Sequence, residues 1–252
     1  MELTIQTFLI VCPMVFLASF VDAIAGGGGL ISLPAYLLAG VPMHSAVATN
    51  KLSSSTGTVI STYRLCKNKY VDWGLVLPCI IMAVIGSSIG ANLSLLVSEK
   101  ILKIILIPVV LVVAFYVMKK KDLDRKTEET ICRKKQMLLC SAAALVVGVY
   151  DGFYGPGTGT FLLLLFTGLG KMDLRTASGN MKVTNLSSNL AALMVFLFSD
   201  VIILPLGIAA SVFSIAGHYV GSGMVMKNGN KIVRPIILVV ITLLFIKLAF
   251  DL

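Results

Sequence analysis

Apolar residues fall along this chain in runs of near-bilayer length, near 5–24, 44–63, 74–97 and 101–118 in the first half and 137–154, 174–198, 201–226 and 232–250 in the second. Short polar stretches separate them. Runs of this kind predict membrane helices, because lipid offers no water to an open backbone. Two further runs, 30–41 and 160–170, are shorter. About 12 helical residues at a rise of 1.5 Å reach roughly 18 Å against a hydrocarbon core of about 30 Å, so each either pairs with the run before it as a re-entrant hairpin or crosses the bilayer, and the sequence leaves both open.

The pattern is duplicated. A carboxylate precedes a glycine loop twice, in Asp22-Ala-Ile-Ala-Gly-Gly-Gly-Gly29 and in Asp151-Gly-Phe-Tyr-Gly-Pro-Gly-Thr-Gly159. Lys51 recurs as Lys182, Gly86 and Gly90 as Gly217 and Gly221, and Lys100 and Lys103 as Lys231 and Arg234, all at an offset of 131 residues. Asp22 to Asp151 is an offset of 129, so the second copy has two extra residues between loop and lysine. The expected organisation is a first membrane repeat at 1–118, a basic linker at 119–135 and a second repeat at 136–252.

Composition supports the membrane reading, with 57% of residues hydrophobic and only 13% charged. The net charge of +9 sits in short loops rather than on an interleaved basic and aromatic surface, which argues against nucleic acid as a partner. Those cations orient the chain instead. The linker from Lys119 to Lys135 carries eight Lys or Arg against four acids, so it is expected in the cytoplasm. Counting outward puts Arg64, Lys67, Lys69, Lys171, Arg175, Lys227, Lys231 and Arg234 inside, Lys100 and Lys103 outside, and both termini outside. The basic loop at 64–69 corresponds to a loop at Ser199 and Asp200 that has no cation. Opposite bias in equivalent loops predicts an all-α polytopic membrane protein of two inverted-topology repeats with glycine-loop broken or re-entrant helices, and a site near the midplane. The first segment lacks a basic leader and is read as retained. The five cysteines show no CxxC spacing, so no metal or cofactor is expected.

Lys51 and Lys182 fall at depth within their runs, where an unpaired lysine costs roughly 2.5–3.5 kcal/mol. Two equivalent buried cations suggest a small anionic substrate. His44, Lys51, Ser54, Ser55, Thr58 and Thr62 share one helical face, as do Ser178, Lys182, Asn185 and Asn189, with Asn50, Thr184, Ser187 and Ser188 nearby. Gly26, Gly27, Gly28 and Gly29, and Gly155, Gly157 and Gly159 in the second copy, could turn backbone N–H groups toward an anion at a helix N-terminus. Asp22 and Asp151 are read as counterions of the lysines, as proton carriers, or as caps of the short helices, and sequence does not separate these. Gly86, Gly90, Gly217 and Gly221 read as helix-packing positions, with His218 as a polar contact among them. Tyr70 and Trp73 read as interfacial anchors.

The run Phe20-Val-Asp-Ala-Ile-Ala-Gly-Gly-Gly-Gly-Leu-Ile-Ser-Leu-Pro34, the segment Ala48-Thr-Asn-Lys-Leu52 and the loop Gly152-Phe-Tyr-Gly-Pro-Gly-Thr-Gly159 resemble the TauE/SafE, or sulfite exporter, family, in particular its YfcA-like branch. The resemblance covers nearly the whole chain. It implies a transporter of the bacterial inner membrane whose characterised relatives are linked to sulfite, organosulfonates and related anions. The family motif carries over onto Gly26 to Gly29 and onto Thr49, Asn50 and Lys51, and in the second half onto Gly155, Gly157, Gly159 and Lys182; with Ser54, Asn180 and Asn185 from the lysine helices these loops and Asn50, Lys51 and Lys182 are the expected substrate-binding residues. Asn180-Met-Lys182 stands where the first half has Thr49-Asn-Lys51, so the two halves need not contact a ligand equally. The leading expectation is alternating-access transport of a small sulfur-containing anion. Competing readings are a passive anion channel, an intramembrane hydrolase using Ser54 or Ser55 beside Lys51, and a receptor or scaffold without flux. No nucleotide-binding motif supports drive by ATP. Substrate, coupling ion and homo-oligomeric assembly are left open.

Overall fold

The computed structural model describes residues 3–98, 131–228, 231–232 and 235–236. The run expected at 101–118, the linker up to residue 130, most of the run at 232–250, and Lys100, Lys103 and Arg234 lie outside the described residues. Within them the fold is all-helical, with eight helices: α1 (Ile5–Ala25), α2 (Gly29–Leu38), α3 (Met43–Lys67), α4 (Trp73–Leu96), α5 (Arg133–Phe153), α6 (Thr158–Gly168), α7 (Leu174–Leu197) and α8 (Leu204–Asn228). Helices α1, α4, α5 and α8 are long and apolar enough to cross a membrane. They expose apolar rows at helical spacing, such as Leu77, Ile81, Ile85, Ile89 and Leu93 on α4 and Leu204, Ile208, Val212, Ile215 and Tyr219 on α8. Those rows form a surface suited to acyl chains rather than water. Helices α3 and α7 have 25 and 24 residues but turn their polar stripes inward, burying Lys51, Ser55 and Thr58 on one and Lys182, Asn185 and Ser188 on the other.

Both short helices are the returning arms of hairpins. Gln136 Nε2, in the first turn of α5, donates to the carbonyl of Gly170 at 2.6 Å, so α6 comes back to the end where α5 began. At the other end of the molecule, His44 Nε2 at the start of α3 meets the Ser94 carbonyl at the end of α4 at 3.0 Å. Thr49 Oγ1 there accepts from Ile203 N just ahead of α8, also at 3.0 Å. Helix α1 runs parallel to α8, with Gly217 seated on the backbone of Phe16 and Gly221 on that of Phe20. The α1–α2 hairpin therefore enters from the end opposite to the α5–α6 hairpin.

The two tips touch. Gly26 has φ +68°, and a Cβ there would lie 2.4 Å from the Cα of Gly159, so only glycine allows this approach. Thr160 Oγ1 donates to the Ala25 carbonyl at 3.0 Å and also to that of Gly26.

Extensive helix contacts sort into two bundles. One holds α1, α2, α3 and α8, and the other α4, α5, α6 and α7. Each bundle thus takes one long helix from the other half of the sequence. Between bundles the main contacts are α3 with α7 and α1 with α6.

Local geometry recurs at the offsets seen in the sequence. Gly86 packs on Leu145 O and Val149 N of α5, as Gly217 packs on Phe16 O and Phe20 N of α1. Asp72 N bonds Asn180 Oδ1 at 2.9 Å, as Ile203 N bonds Thr49 Oγ1. Left-handed backbone recurs too, at Gly26 and Gly155, at Gly40 and Lys171, and at Lys69 and Asp200.

One end of the molecule is basic. Arg133 forms a bidentate pair with Asp72 at 2.6 and 2.7 Å. Arg175 reaches the Asn68 carbonyl and stacks over Tyr70 at 4.3 Å, and Arg64 bonds the Tyr219 carbonyl and Ser222 Oγ. Trp73 is half exposed at this end, as an interfacial anchor would be.

Candidate functional site

Each lysine finds its partner in the other half of the sequence. Lys51 Nζ on α3 lies 2.7 Å from Asp151 Oδ1 on α5 and donates to Asn189 Oδ1 on α7 at 2.8 Å. Lys182 Nζ on α7 lies 2.8 Å from Asp22 Oδ2 on α1 and also bonds the Asp22 carbonyl. Exposures are 2% for Lys51, 0% for Lys182, 9% for Asp22 and 1% for Asp151. Both pairs bridge the two bundles. Four buried charges that sum to zero are tolerable in a low-dielectric interior, whereas any one alone is costly.

The loops that hold the carboxylates solve the same problem differently. Asp22 Oδ1 accepts from the backbone N–H groups of Gly27 and Gly28 at 3.0 and 3.3 Å. At the equivalent of Gly27 the second half has Pro156, which has no N–H to give. Asp151 instead accepts from the hydroxyls of Thr158 and Ser188, each at 2.8 Å. The glycines serve close approach: a Cβ on Gly28 would strike the Ala18 carbonyl at 2.4 Å, and one on Gly155 would lie 3.1 Å from Lys51 Nζ.

Two polar cavities of about 20 Å³ each flank the pairs. That is room for roughly one water apiece. The first is lined by Ser19, Asp22, Gly28, Gly29, Ser32, Asn50, Ser53, Ser54 and His218, and the second by Lys51, Asp151, Tyr154, Gly155, Gly157, Thr158, Gly159, Asn185 and Asn189. Asp22, Gly29, Asn50 and Ser54 line both.

Most residues singled out from the sequence therefore converge. Gly26 and Gly27 line neither cavity, the first pressed against Gly159 and the second occupied by Asp22. Lys182 lines neither, its ammonium group lying behind Asp22. Asn180 stands apart, because its amide bonds Asp72 N and Met172 Sδ and so holds the start of α4. Thr158, Ser188 and Asn189 bind the charged groups directly and His218 borders them, although none was placed at the site beforehand except Asn189 and Ser188 as members or neighbours of the polar face. Their equivalents Gly29, Gly57, Thr58 and Ser87 differ in type, so the repeat gave no signal for them. Among the described residues Ser55 Oγ has no hydrogen-bond partner, and Lys51 Nζ is held by Asp151 and Asn189 rather than by Ser54 or Ser55.

An all-helical fold with four helices long and apolar enough to cross a membrane, and with opposed charge pairs where two hairpin tips meet, is the frame of a membrane transporter. The chain belongs to the TauE/SafE family, whose description, Sulfite exporter TauE/SafE, matches residues 11–248. It is 33% identical over 254 residues to a "Probable membrane transporter protein" of Haemophilus influenzae, covering 100% of this chain and 98% of that one. It is likewise 33% identical to the "Probable membrane transporter protein YfcA" of Escherichia coli K12, over 93% of this chain and 87% of the other. A third relative, "Probable membrane transporter protein ORF9" of a Sinorhizobium species, is 33% identical over 94% of this chain and 90% of its own. No solved structure matches the chain.

Proposed function

We propose that this protein is a secondary transporter of small, sulfur-containing anions such as sulfite or an organosulfonate, working by alternating access at a midplane site between two inverted repeats. The observation that carries the reading is the crossed pairing, Lys51 with Asp151 and Lys182 with Asp22, at the junction of the bundles. Inversion of the repeats is supported by hairpins that enter from opposite ends and by contacts that recur at fixed offsets. The basic end, with Arg64, Arg133 and Arg175, faces the cytoplasm in this reading, and the N-terminus lies outside.

The site is neutral at rest, so an anion must displace a carboxylate from its lysine or arrive with a proton that neutralises one. Proton coupling through Asp22 or Asp151 follows from that balance. Cavities with room for about one water have to widen before sulfite fits.

The test is flux of sulfite, sulfate, thiosulfate and small organosulfonates into liposomes containing the purified protein, with and without a pH gradient. Saturable uptake of one anion, lost in the Lys51→Ala, Lys182→Ala double variant, supports the reading. Unchanged uptake in the folded variant removes the lysines from the site, and flux without saturation or countertransport makes the protein a channel.

A further inference from the structure

We propose that His218 is a proton-binding site of this transporter, taking up a proton at Nε2 against the carboxylate of Asp22, and that the proton enters together with the anion. The proposal rests on the transport reading for its role, but the proton site itself stands on geometry. His218 is 1% exposed, its Nε2 is a buried polar atom without a hydrogen-bond partner among the described residues, and it borders the first cavity.

The tautomer follows from its neighbours. Ser61 Oγ donates to the Thr58 carbonyl at 3.1 Å and lies 3.0 Å from His218 Nδ1. With the hydroxyl proton on the Thr58 carbonyl, the tautomer of the proposal is the one in which Ser61 accepts from Nδ1–H. Nε2 of the neutral ring is then left with its lone pair, directed at Asp22 Oδ2 3.6 Å away. Two acceptors face each other with no proton between them. Loading one proton on Nε2 turns that repulsion into a charge-assisted hydrogen bond.

The charged groups around the ring are Asp22 from α1 and Lys182 from α7, whose Nζ holds the same carboxylate oxygen. From α3 the ring meets Ser61 and Gly57. Loading therefore places two cations around one carboxylate and gives the neutral site a net positive charge, which favours anion binding. By linkage, a bound anion favours the proton equally.

The Asp151 side lacks this vacancy. Ser87 stands at the place equivalent to His218, and its hydroxyl donates to the Ser188 carbonyl at 2.6 Å. Asp151 is already served by Lys51, Thr158 and Ser188. One proton per chain, on the Asp22 side, is the consequence.

The chain has two histidines, so in protein labelled with ¹⁵N-histidine the signal missing from His218→Gln belongs to His218. The expected spectrum shows Nδ1 protonated and Nε2 bare at rest, conversion to imidazolium on acidification, and an upward shift of that midpoint on adding sulfite. In liposomes, folded His218→Gln and His218→Ser should lose accumulation of sulfite driven by a pH gradient, and their sulfite exchange at equal pH should lose the rise on acidification that wild type shows. An Nε2-protonated resting ring, a ring that never titrates in folded protein, or full gradient-driven accumulation in both variants overturns the proposal. If wild type moves none of the anions, the transport reading fails, and the histidine titration alone decides whether the proton site exists.

Discussion

Removing one member of a buried pair should cost far more than removing both, and the Lys51–Asp151 pair allows the difference to be measured. At 2.7 Å and an effective dielectric near 20, the attraction is about 6 kcal/mol, most of it offset by taking two ions out of water. Lys51→Met leaves the Asp151 carboxylate with the Thr158 and Ser188 hydroxyls but no cation on that oxygen pair, and loss of one partner from a buried pair costs roughly 3–5 kcal/mol. Adding Asp151→Asn removes the orphaned charge and should return much of that loss, for a coupling of roughly 2–3 kcal/mol. Unfolding free energies from SDS titration, followed by circular dichroism, give the cycle. Asp22→Asn combined with Lys51→Met is the control, since Asp22 belongs to Lys182. Rescue by Asp22→Asn as large as rescue by Asp151→Asn would refute crossed pairing.

Gly26→Ala should abolish folded expression, because its Cβ would penetrate Gly159 at φ +68°, whereas Gly40→Ala, at φ +79° with nothing within 4 Å, should cost only about 1–2 kcal/mol; yields on size exclusion separate the two. Hydrogen bonds from Arg133 hold the Asp72 carboxyl below the usual carboxylate range, so the pair stabilises above the unfolded value near 3.9 and loses its effect as pH falls through the folded value. Being half exposed, it is worth less than about 1 kcal/mol, and unfolding of Asp72→Asn should match wild type in acid or high salt. With Cys132, exposed beside Arg133, as sole cysteine, an impermeant maleimide should label inverted vesicles and not intact cells. A disulfide between Ser19→Cys and Ser214→Cys, whose native hydroxyls are 2.8 Å apart within one bundle, should leave transport intact, while one between Ala25→Cys and Thr160→Cys, across the bundles, should stop it.

The helices were legible in the sequence because period and length decide them: the short runs ended within a few residues of α2 and α6. Depth of Lys51 and Lys182 followed from the same pattern. Pairing did not, since an offset says which residues are equivalent and not which half each one touches. The glycine N–H groups were expected to meet an anion, and at Gly27 and Gly28 they meet the protein's own Asp22. Asn180 looked like part of the lysine motif, yet it does what Thr49 does in the other half, anchoring the start of a long helix. His218 was hidden inside Gly217-x-x-x-Gly221, where spacing explained the glycines and left the ring between them without a task.

The exchange of α4 and α8 between the bundles changes what can move in the proposed cycle. If the sequence halves rocked as bodies, the close seams at Gly86 and Gly90 on α5 and at Gly217 and Gly221 on α1 would have to open, and each puts helix backbones in direct contact. Packed seams of this kind are strong because every atom has a neighbour. The junction of α3 with α7 and α1 with α6 is different, being polar, bordered by cavities, and spanned by the two Lys–Asp pairs. Motion there leaves the apolar seams whole and strains the charge pairs and the Gly26–Gly159 tip contact. An anion that reaches both lysines can replace the carboxylates during that motion, and a proton on His218 or Asp22 can cover the charge left behind. Substrate and proton would then lower the barrier together, whereas the empty, unprotonated protein keeps its pairs closed and does not leak.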